Sequence, residues 1–369
     1  MSAETIRYGL IGAGMMGREH IRNLSVIPGS RIVAIADPNA ESRRTAAELL
    51  HEKPMLFDEA DALLDSDFCD ALIIASPNDT HAGLLDRIFS MQNPVPVLVE
   101  KPICTEPSDL ERLRRGAAEY PKPIWVGMEY RYMPPVATLI KEVHEGRVGR
   151  PAMIAMREHR HPFMQKVDNW NRFSKRTGGT LVEKCCHFFD LMRFIARSEA
   201  VRVYASGAAD FNHLDERYDG RQPDILDNAF VIVDFANGMR AHLDLCMFAD
   251  GSWWQEAFAV TGNKAKIECL VPASRGYEEK VPAEVLFSPR NERKTLERRL
   301  VEVDEEVLAA GAHHGSTYYE HLGFRRAILG QGPVEVSVED GLKAVAIGMA
   351  AELSVREKRA VEVDGLQFG

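Results

Sequence analysis

Two patterns of hydrophobic and polar positions divide the chain. From residue 6 to about residue 128, short apolar runs alternate with segments rich in Arg, Ala, Leu and Glu. These runs read IRYGLIGAG, RIVAIAD, DALIIAS, VPVLVEKP and PIWVGMEY. Apolar strands that alternate with helical segments are typical of βαβ units, so this part of the chain predicts a parallel sheet.

The pattern changes after a loop at 144–151. The later strand-like segments follow one another without regularly spaced helices, and they read PAMIAMREH, VRVYASGA, NAFVIVDF, MRAHLDLCMF, QEAFAVTG and AKIECLVP. They predict a second, mostly antiparallel sheet with one covered face. One predicted helix, GTLVEKCCHFFDLMRFIA, interrupts this part, and two more, YYEHLGFRRAIL and VEDGLKAVAIGMAAELSV, close it.

Composition narrows the class of protein. A length of 369 residues favours two domains, and the sequence has neither a secretory signal nor a long apolar run that would span a membrane, so we expect a cytoplasmic protein. A net charge of -10 and a pI near 5.7 argue against binding to nucleic acid. The six Cys lack a Cys-x-x-Cys pair, so we interpret them as reduced packing residues rather than a zinc site.

The first chemical signal is a glycine-rich turn. Gly12, Gly14 and Gly17 follow a predicted strand and open a helix, in the context where G-x-G-x-x-G binds the pyrophosphate of a dinucleotide. Asp37 ends the next strand, where its carboxylate accepts bonds from a ribose and repels a 2′-phosphate. The motif therefore predicts NAD, although two arginines close behind Asp37 leave NADP open. A glycine turn without a ligand is the alternative.

The second signal stands at a strand end. Glu100, Lys101 and Pro102 follow the run VLV, and ligands of open parallel sheets bind beyond the carboxyl ends of strands. Pro102 fixes the turn and so aims the lysine ammonium. We interpret Lys101 as catalytic, and the alternative is a solvated Lys-Glu pair.

The third signal is the segment TGGTLVEKCCHFFDLM. Glu183 and His187 stand four residues apart on a predicted helix and therefore share one face. Asp190 is expected to accept a hydrogen bond from the second imidazole nitrogen. With Lys101 they form a set that removes a hydroxyl proton as hydride leaves. A metal pair and simple helix packing are the alternatives, and we predict no metal.

These motifs, together with SPNDTH, resemble in order and spacing those of the Gfo/Idh/MocA family of sugar and inositol oxidoreductases. The resemblance extends over essentially the whole chain. It implies an N-terminal Rossmann domain, placed at residues 1–128, and a C-terminal open-faced β-sheet domain for substrate and oligomerisation, placed at 129–369. It also implies tightly held NAD(P), a cleft between the domains, and a homo-oligomer, dimer or tetramer, formed through the outer face of the larger sheet.

The resemblance also implies roles for single residues. Lys101 and His187 serve proton transfer, Glu183 binds the reacting hydroxyls, and Pro77, Asn78 and His81 form a loop over the nicotinamide side. Glu183 departs from the family, where the usual residue is Asp. The full predicted cofactor site comprises Gly12, Gly14, Met15, Met16, Gly17, Asp37, Pro77, Asn78, His81 and Glu100.

A basic stretch from Arg157 to Arg176 contrasts with the acidic chain. Arginines in a water-poor cleft form charge-assisted bonds with carboxylate, phosphate or sulfonate, so the stretch favours a pocket for an anionic sugar. The predicted substrate-binding residues are Arg172, Lys166, Lys184, Asn171, Trp170, Tyr130 and His159. The alternatives are a solvated loop and pairing with acids across a subunit interface.

Within the family, WNRF, TGGTLVEKCCHFFD and YRYMPP resemble the branch of NAD-dependent sulfoquinovosidases. That resemblance implies cleavage of a glycosidic bond by transient C3 oxidation, elimination, water addition and re-reduction. An ordinary NAD-dependent sugar or inositol dehydrogenase is the first alternative. A non-catalytic sugar sensor on the same fold is the second.

Overall fold

Two β-sheets organise the computed structural model, which describes residues 4–273, 281–291 and 293–364. The first sheet contains β1 (Ile6–Ile11), β2 (Ser30–Ala36), β3 (Met55–Phe57), β4 (Ala71–Ile74), β5 (Val97–Glu100) and β6 (Ile124–Gly127). Its order is β3-β2-β1-β4-β5-β6, and all neighbours are parallel. The predicted parallel sheet is confirmed, and β3 was missed because three residues carry no periodic signal.

Helices join these strands, namely α1 (Met15–Ser25), α2 (Ala40–Ala47), α3 (Ala60–Leu64), α4 (His81–Phe89) and α5 (Asp109–Glu119). The strand order reverses at β1, whose neighbours are β2 and β4. At such a switch point the two flanking crossovers diverge and leave a crevice beyond the carboxyl ends of the strands. The fold therefore provides a ligand site there.

The second sheet has nine strands. They are β7 (Pro151–His159), β8 (Ala200–Ala208), β9 (Asn228–Phe235), β10 (Arg240–Cys246), β11 (Trp254–Gly262), β12 (Ala265–Pro272), β13 (Ala283–Pro289), β14 (Glu297–Val301) and β15 (Val361–Glu362). Their order is β14-β13-β12-β11-β7-β10-β9-β8-β15, and the pair β7 and β10 is parallel while the other neighbours are antiparallel. The predicted, mostly antiparallel sheet is confirmed.

The remaining helices are α6 (Pro134–His144), α7 (Ser174–Thr177), α8 (Thr180–Glu183), α9 (Cys186–Ala196), α10 (Glu305–Ala310), α11 (Ser316–Ile328) and α12 (Val338–Glu357). Short 3₁₀ turns lie at Asn78–Thr80, Glu129–Tyr132, Val167–Arg172 and His313–Gly315. Helices α6, α9 and α12 cover one face of the second sheet and share a core with it. The opposite face exposes Met153, Tyr204, Phe230 and Ile232.

The end of the chain returns to the first sheet. Phe324 on α11 and Leu342 on α12 are buried in the same core as Trp125 of β6. Because α12 also packs on the second sheet, it connects the two cores. The boundary between residues 128 and 129 remains a prediction about domain division.

The single helix predicted for residues 179–196 is wrong. The structure has two helices, α8 and α9, separated by a turn at Lys184 and Cys185. The turn lies where the main-chain oxygen of Glu183 accepts a hydrogen bond from the Lys101 ammonium at 2.9 Å. The Lys101 ammonium, which follows β5 of the first sheet, thus satisfies the Glu183 carbonyl at the end of α8.

The cysteines form no disulfides, since all six thiols are free. Four of them are buried, which agrees with their interpretation as packing residues. Among the described helices, none is both long and apolar enough to cross a lipid bilayer.

Candidate active site

The glycine-rich turn between β1 and α1 is shaped by close backbone contacts. Gly12 has a φ of +96°, and a Cβ on it would stand 2.4 Å from the Ser76 nitrogen. A Cβ on Gly17 would stand 2.1 Å from the Gly12 oxygen, so helix and strand require glycine there. A Cβ on Gly14 would meet no atom within 4 Å. Open space above Gly14, next to the amide groups that begin α1, fits a pyrophosphate.

Asp37 directly follows β2 and is held in place by the backbone. Its carboxylate accepts hydrogen bonds from the amides of Ala13 at 2.7 Å and Asn39 at 2.8 Å. The Arg43 guanidinium binds the main-chain oxygen of the same residue. Met15 is 37% exposed beside this edge, and Met16 is half-buried. The carboxylate, the turn and the helix start together fit the adenosine half of a dinucleotide.

The loop after β4 presents one free donor. The Asn78 side chain is buried, and its Nδ2 has no hydrogen-bond partner, whereas Pro77 is half-buried. His81 is fully buried, with Nδ1 2.8 Å from the Pro102 oxygen and Nε2 3.0 Å from the Ser76 oxygen. Burial lowers the pKa of His81. His81 therefore joins two loops, and Asn78 is the residue here with a donor to offer.

Both carboxylate oxygens of Glu100 are hydrogen-bonded within the protein. Its Oε1 accepts a bond from His20 Nε2 at 3.0 Å, and its Oε2 accepts one from the Lys101 amide at 3.2 Å. Burial by itself would raise the pKa of Glu100, but the bond from His20 and the nearby charge of Lys101 lower it. Glu100 is thus an anionic anchor for the turn that carries Lys101.

Lys101 crosses from the first sheet to the second domain through its bond to the Glu183 oxygen. Burial would lower the pKa of Lys101, but the acidic groups of Cys186, Glu183 and Glu100 outweigh burial and raise it. The side chain is therefore a charged ammonium at neutral pH. It stands where positive charge stabilises a substrate oxygen that loses its proton.

Glu183 lies beside this ammonium with one oxygen unused. Its Oε1 accepts a bond from Lys166 Nζ at 3.2 Å, whereas its Oε2 is buried and has no partner. A buried carboxylate oxygen without a partner is costly, so a ligand hydroxyl would be bound favourably there. The predicted proximity of Lys101 and Glu183 is observed, although α8 and not a long helix positions the glutamate.

His187 is buried, and its Nδ1 has no hydrogen-bond partner. Burial and the positive charges of Lys101 and Lys184 lower the pKa of His187 far below the usual value. The imidazole is therefore neutral at neutral pH and available as a base. Its ring stacks on Tyr130 with centroids 4.2 Å apart.

The predicted bond between Asp190 and His187 is wrong. Asp190 instead receives two bonds from the Arg131 guanidinium, from Nε at 2.6 Å and from Nη2 at 2.5 Å. A bidentate guanidinium pair is stronger than a bond from a neutral imidazole, and here both partners are buried. Tyr130, which no spacing rule identifies, supports the histidine ring.

Lys184 and Tyr130 lie behind His187. Lys184 Nζ is 2.8 Å from the Tyr130 hydroxyl and 2.9 Å from Glu158 Oε1. Arg160 approaches the same Glu158 oxygen at 3.3 Å. Because Tyr130 and Lys184 are buried and already paired, the structure does not support their predicted contact with substrate. Burial also lowers the pKa of Lys184.

Two other predicted substrate-binding residues, His159 and Asn171, form hydrogen bonds within the protein. His159 ends β7 on the face opposite Glu158, because successive strand side chains alternate, and its Nε2 is 3.1 Å from Asp244 Oδ1. This pairing does not favour its predicted contact with substrate, which stays a prediction. Asn171 is fully buried and donates to the Met164 oxygen at 2.9 Å, which fixes the loop.

Lys166 and Arg172 are the remaining predicted anion ligands. The Lys166 ammonium lies 4.3 Å from the ring centroid of Trp170, in addition to its bond to Glu183. Arg172 Nε is 2.7 Å from Glu216 Oε2, while its buried Nη1 has no partner. Burial opposes ionisation of Glu216, but bonds from Arg172 and two neighbours lower its pKa to about 2. Much of the basic stretch is thus neutralised by the chain's own carboxylates.

Sequence reasoning missed a buried acidic pair behind the site. Glu158 and Glu256 stand directly opposite each other on β7 and β11, and both are buried. Burial and the charge of Glu158 raise the pKa of Glu256 to about 7. Strand alternation in PAMIAMREH already places Glu158 on the covered face, and that was the available signal. Among the described residues, no three His, Cys, Asp or Glu side chains are arranged to hold a metal.

Two family models match the chain. The NAD-binding Rossmann-fold model of the oxidoreductase family matches residues 6–128, and the model of its C-terminal alpha/beta domain matches residues 140–363. The chain belongs to the Gfo/Idh/MocA oxidoreductase family. As a member of this family, it is an oxidoreductase whose N-terminal domain is the family's NAD-binding Rossmann fold.

Members of the Gfo/Idh/MocA family resemble it over their full length. Inositol 2-dehydrogenase of Rhizobium meliloti (strain 1021) is 27% identical over 359 residues, which cover 97% of this chain and 99% of that protein. Myo-inositol 2-dehydrogenase of Thermotoga maritima is 25% identical over 360 residues, which cover 97% and 99%. The scyllo-inositol dehydrogenase of Lactobacillus casei, solved with NAD(H) and scyllo-inositol, superposes with a TM-score of 0.76 at 20% identity, covering 98% and 100%. At that identity the likeness shows the fold alone.

Proposed function

We propose that this protein is an NAD-dependent dehydrogenase that oxidises a secondary hydroxyl of a cyclic polyol or sugar. The observation that carries the proposal is the 2.9 Å bond from the Lys101 ammonium to the main-chain oxygen of Glu183, which brings a strand-end ammonium to the end of α8, the helix that carries the Glu183 carboxylate, four residues before His187. Relatives named inositol 2-dehydrogenase, aligned over almost the whole chain, support this substrate class. These relatives favour a dehydrogenase over the glycosidase that the resemblance to the sulfoquinovosidase branch implies.

Each group has a role in such an oxidation. When bound, NAD supplies the acceptor for the hydride that leaves the substrate carbon. The Glu183 carboxylate accepts a hydrogen bond from a substrate hydroxyl, and the neutral His187 imidazole takes the proton of the reacting hydroxyl. Lys101 stabilises the negative charge that develops on the reacting oxygen. Glu183 and His187 are buried and Lys101 is half-buried, and limited access of water strengthens these interactions.

The charge balance of the pocket favours a neutral substrate. Lys166 pairs with Glu183, and Arg172 pairs with Glu216, so neither cation awaits a ligand charge. The unpartnered Nη1 of Arg172 favours an anionic sugar. An anionic glycoside cleaved without net oxidation therefore stays the second candidate.

The two candidates differ in their products. The purified protein is incubated with NAD and a panel of myo-inositol, scyllo-inositol, glucose and chromogenic anionic glycosides, with NADH and released aglycone followed together. We expect NADH in proportion to the polyol consumed. Aglycone release without NADH would establish the redox-neutral glycosidase instead. Binding of a sugar without either product would favour the sensor.

We also infer a homo-oligomer built on the open face of the second sheet. Phe230 is 65% exposed there, beside the exposed Ile232 and Tyr204 on the neighbouring strand positions. Contiguous apolar surface of this kind is typical of an interface between protein copies. Light scattering of the wild type and of Phe230→Glu tests this, since the substitution should release monomers.

A further inference from the structure

The turn before α11 holds three consecutive residues in the left-handed region of backbone space. The φ angles are 51° for His313, 54° for His314 and 81° for Gly315. For a residue with a Cβ, the left-handed conformation costs about 1 kcal/mol or more, and His tolerates this conformation better than most residues do. Strain of this kind persists only where the surroundings fix it, and it gathers at functional sites.

Hydrogen bonds hold the turn from several directions. They run from the Ala312 amide to Glu19 Oε1 at 2.6 Å, from His314 Nε2 to the Pro272 oxygen at 3.1 Å, and from the hydroxyls of Ser316 and Thr317 to Glu129 Oε2 at 2.9 and 2.5 Å. Of the two histidines, His314 therefore holds the turn to the main chain at Pro272. The fixed backbone leaves His313 in one orientation.

His313 faces the active site. Its ring centroid lies 6.0 Å from that of Tyr130, the same ring that stacks on His187. His313 Nδ1 is 3.1 Å from Glu129 Oε1, but the two atoms form no hydrogen bond. The side chain is 27% exposed although Nδ1 is buried, so the accessible edge of the ring is the one that carries Nε2.

We propose that His313 is a substrate-contacting residue that hydrogen-bonds a hydroxyl of the polyol or sugar through Nε2. This inference rests on the proposed function for the class of substrate. The hydroxyl it binds is a different one from those held by Glu183 and His187. The segment before α11 thereby adds a third part of the chain to the pocket, after the strand end at Lys101 and the region of α8 and α9.

The test removes the imidazole of His313 while it keeps the backbone conformation of the turn. His313→Gly removes the imidazole, and glycine adopts the left-handed conformation without cost, so the turn is kept. Calorimetry then measures the dissociation constant of scyllo-inositol, myo-inositol and glucose on the NAD-loaded protein. We expect about ten-fold weaker binding of the best ligand, the value of one hydrogen bond, with an unchanged melting temperature. His313→Asn should recover part of the affinity, because Asn tolerates the conformation and carries an amide.

Two controls identify a purely structural role. Lys358→Gly changes another left-handed position, exposed at the end of α12, and should leave ligand binding unaltered. A mono-deoxy analogue that lacks the contacted hydroxyl should bind wild type and His313→Gly equally. Equal affinity of the two proteins for every intact ligand would overturn the inference. Weaker binding of NAD alone would overturn it too, by assigning His313 to the cofactor.

The outcomes also separate this inference from the proposed function. If the wild type oxidises a polyol and His313→Gly binds it as tightly, the inference fails and the function stands. If the wild type neither binds nor oxidises any polyol or sugar of the panel, the proposed function fails and takes the inference with it.

Discussion

The phenol ring of Tyr130 lies flat against the imidazole of His187, with centroids 4.2 Å apart and planes inclined by 6°. This stack holds the imidazole in one plane, and His187 Nδ1 has no hydrogen-bond partner. Tyr130→Leu should lower kcat about 10- to 100-fold, since a misdirected base loses its near-attack geometry. Tyr130→Phe keeps the stack and should stay close to wild-type kcat. Equal losses in both variants would show that the hydroxyl matters rather than the stack.

Lys101 is expected to act on the reaction and not on cofactor binding. Lys101→Met should lower kcat about 10²- to 10⁴-fold in NADH-production assays and leave the dissociation constant of NAD nearly unchanged. Lys122→Met removes an exposed lysine before β6 and is the matched control. A large loss of NAD affinity with Lys101→Met would contradict the assigned role.

Asp37 should determine the choice between NAD and NADP. Asp37→Ala removes a carboxylate that repels a 2′-phosphate, next to Arg43, so the preference for NAD should fall about 10- to 100-fold. The ratio of kcat/KM with NAD to kcat/KM with NADP measures this preference. Asp58→Ala changes the exposed Asp that directly follows β3 and should keep the preference. An unchanged ratio with Asp37→Ala would place the ribose elsewhere.

Gly179 should be irreplaceable. Its φ is +94°, and a Cβ would stand 2.3 Å from Glu352 Oε1, the acceptor for the Leu181 amide at the start of α8. Gly179→Ala should cost about 2 kcal/mol or more of unfolding free energy, from strain and the displaced carboxylate. Gly146→Ala has a similar φ of +82° and open space, so it should cost only about 1 kcal/mol.

Urea unfolding measures both glycine variants. If they were equally stable, the contact with Glu352 would be unimportant. Gly179→Ala should also lower kcat, because α8 carries Glu183 next to Lys101.

Glu256 should make stability depend on pH. Its folded pKa of about 7 lies above the unfolded value of about 4.3, so the folded state binds the extra proton between them. The stabilisation is fully present below the unfolded pKa and is lost as the pH rises through 7. Glu256→Gln should remove this slope and, at pH 8, exceed the wild type by up to about 3 kcal/mol. Urea unfolding across this pH range measures it.

Glu268→Gln, on the neighbouring strand β12, is the control for Glu256. It should retain the wild-type slope. Parallel stability curves for wild type and Glu256→Gln would mean that Glu256 titrates normally.

Local patterns predicted much of the fold and part of the site. Strand β7, from Pro151 to His159, and strand β9, from Asn228 to Phe235, have the predicted bounds because alternation within a strand is a local property. The turn at Gly12 and the position of Lys101 at a strand end followed from the βαβ pattern for the same reason. Four strands were missed, namely β3, β13, β14 and β15, and of these β3 and β15 are too short to show a period.

The sequence by itself determined the two sheets, the dinucleotide turn and the residue types Lys101, Glu183 and His187. Only the tertiary structure decided which charges meet. Arg172 pairs with Glu216, 44 residues away, and Asp190 pairs with Arg131, 59 residues away. The physical reason is that an ion pair depends on where distant segments pack, whereas periodicity depends on the backbone repeat of a single element. Basic side chains of the stretch from Arg157 to Arg176 therefore pair with carboxylates of the same chain. Residue spacing could not predict these pairs.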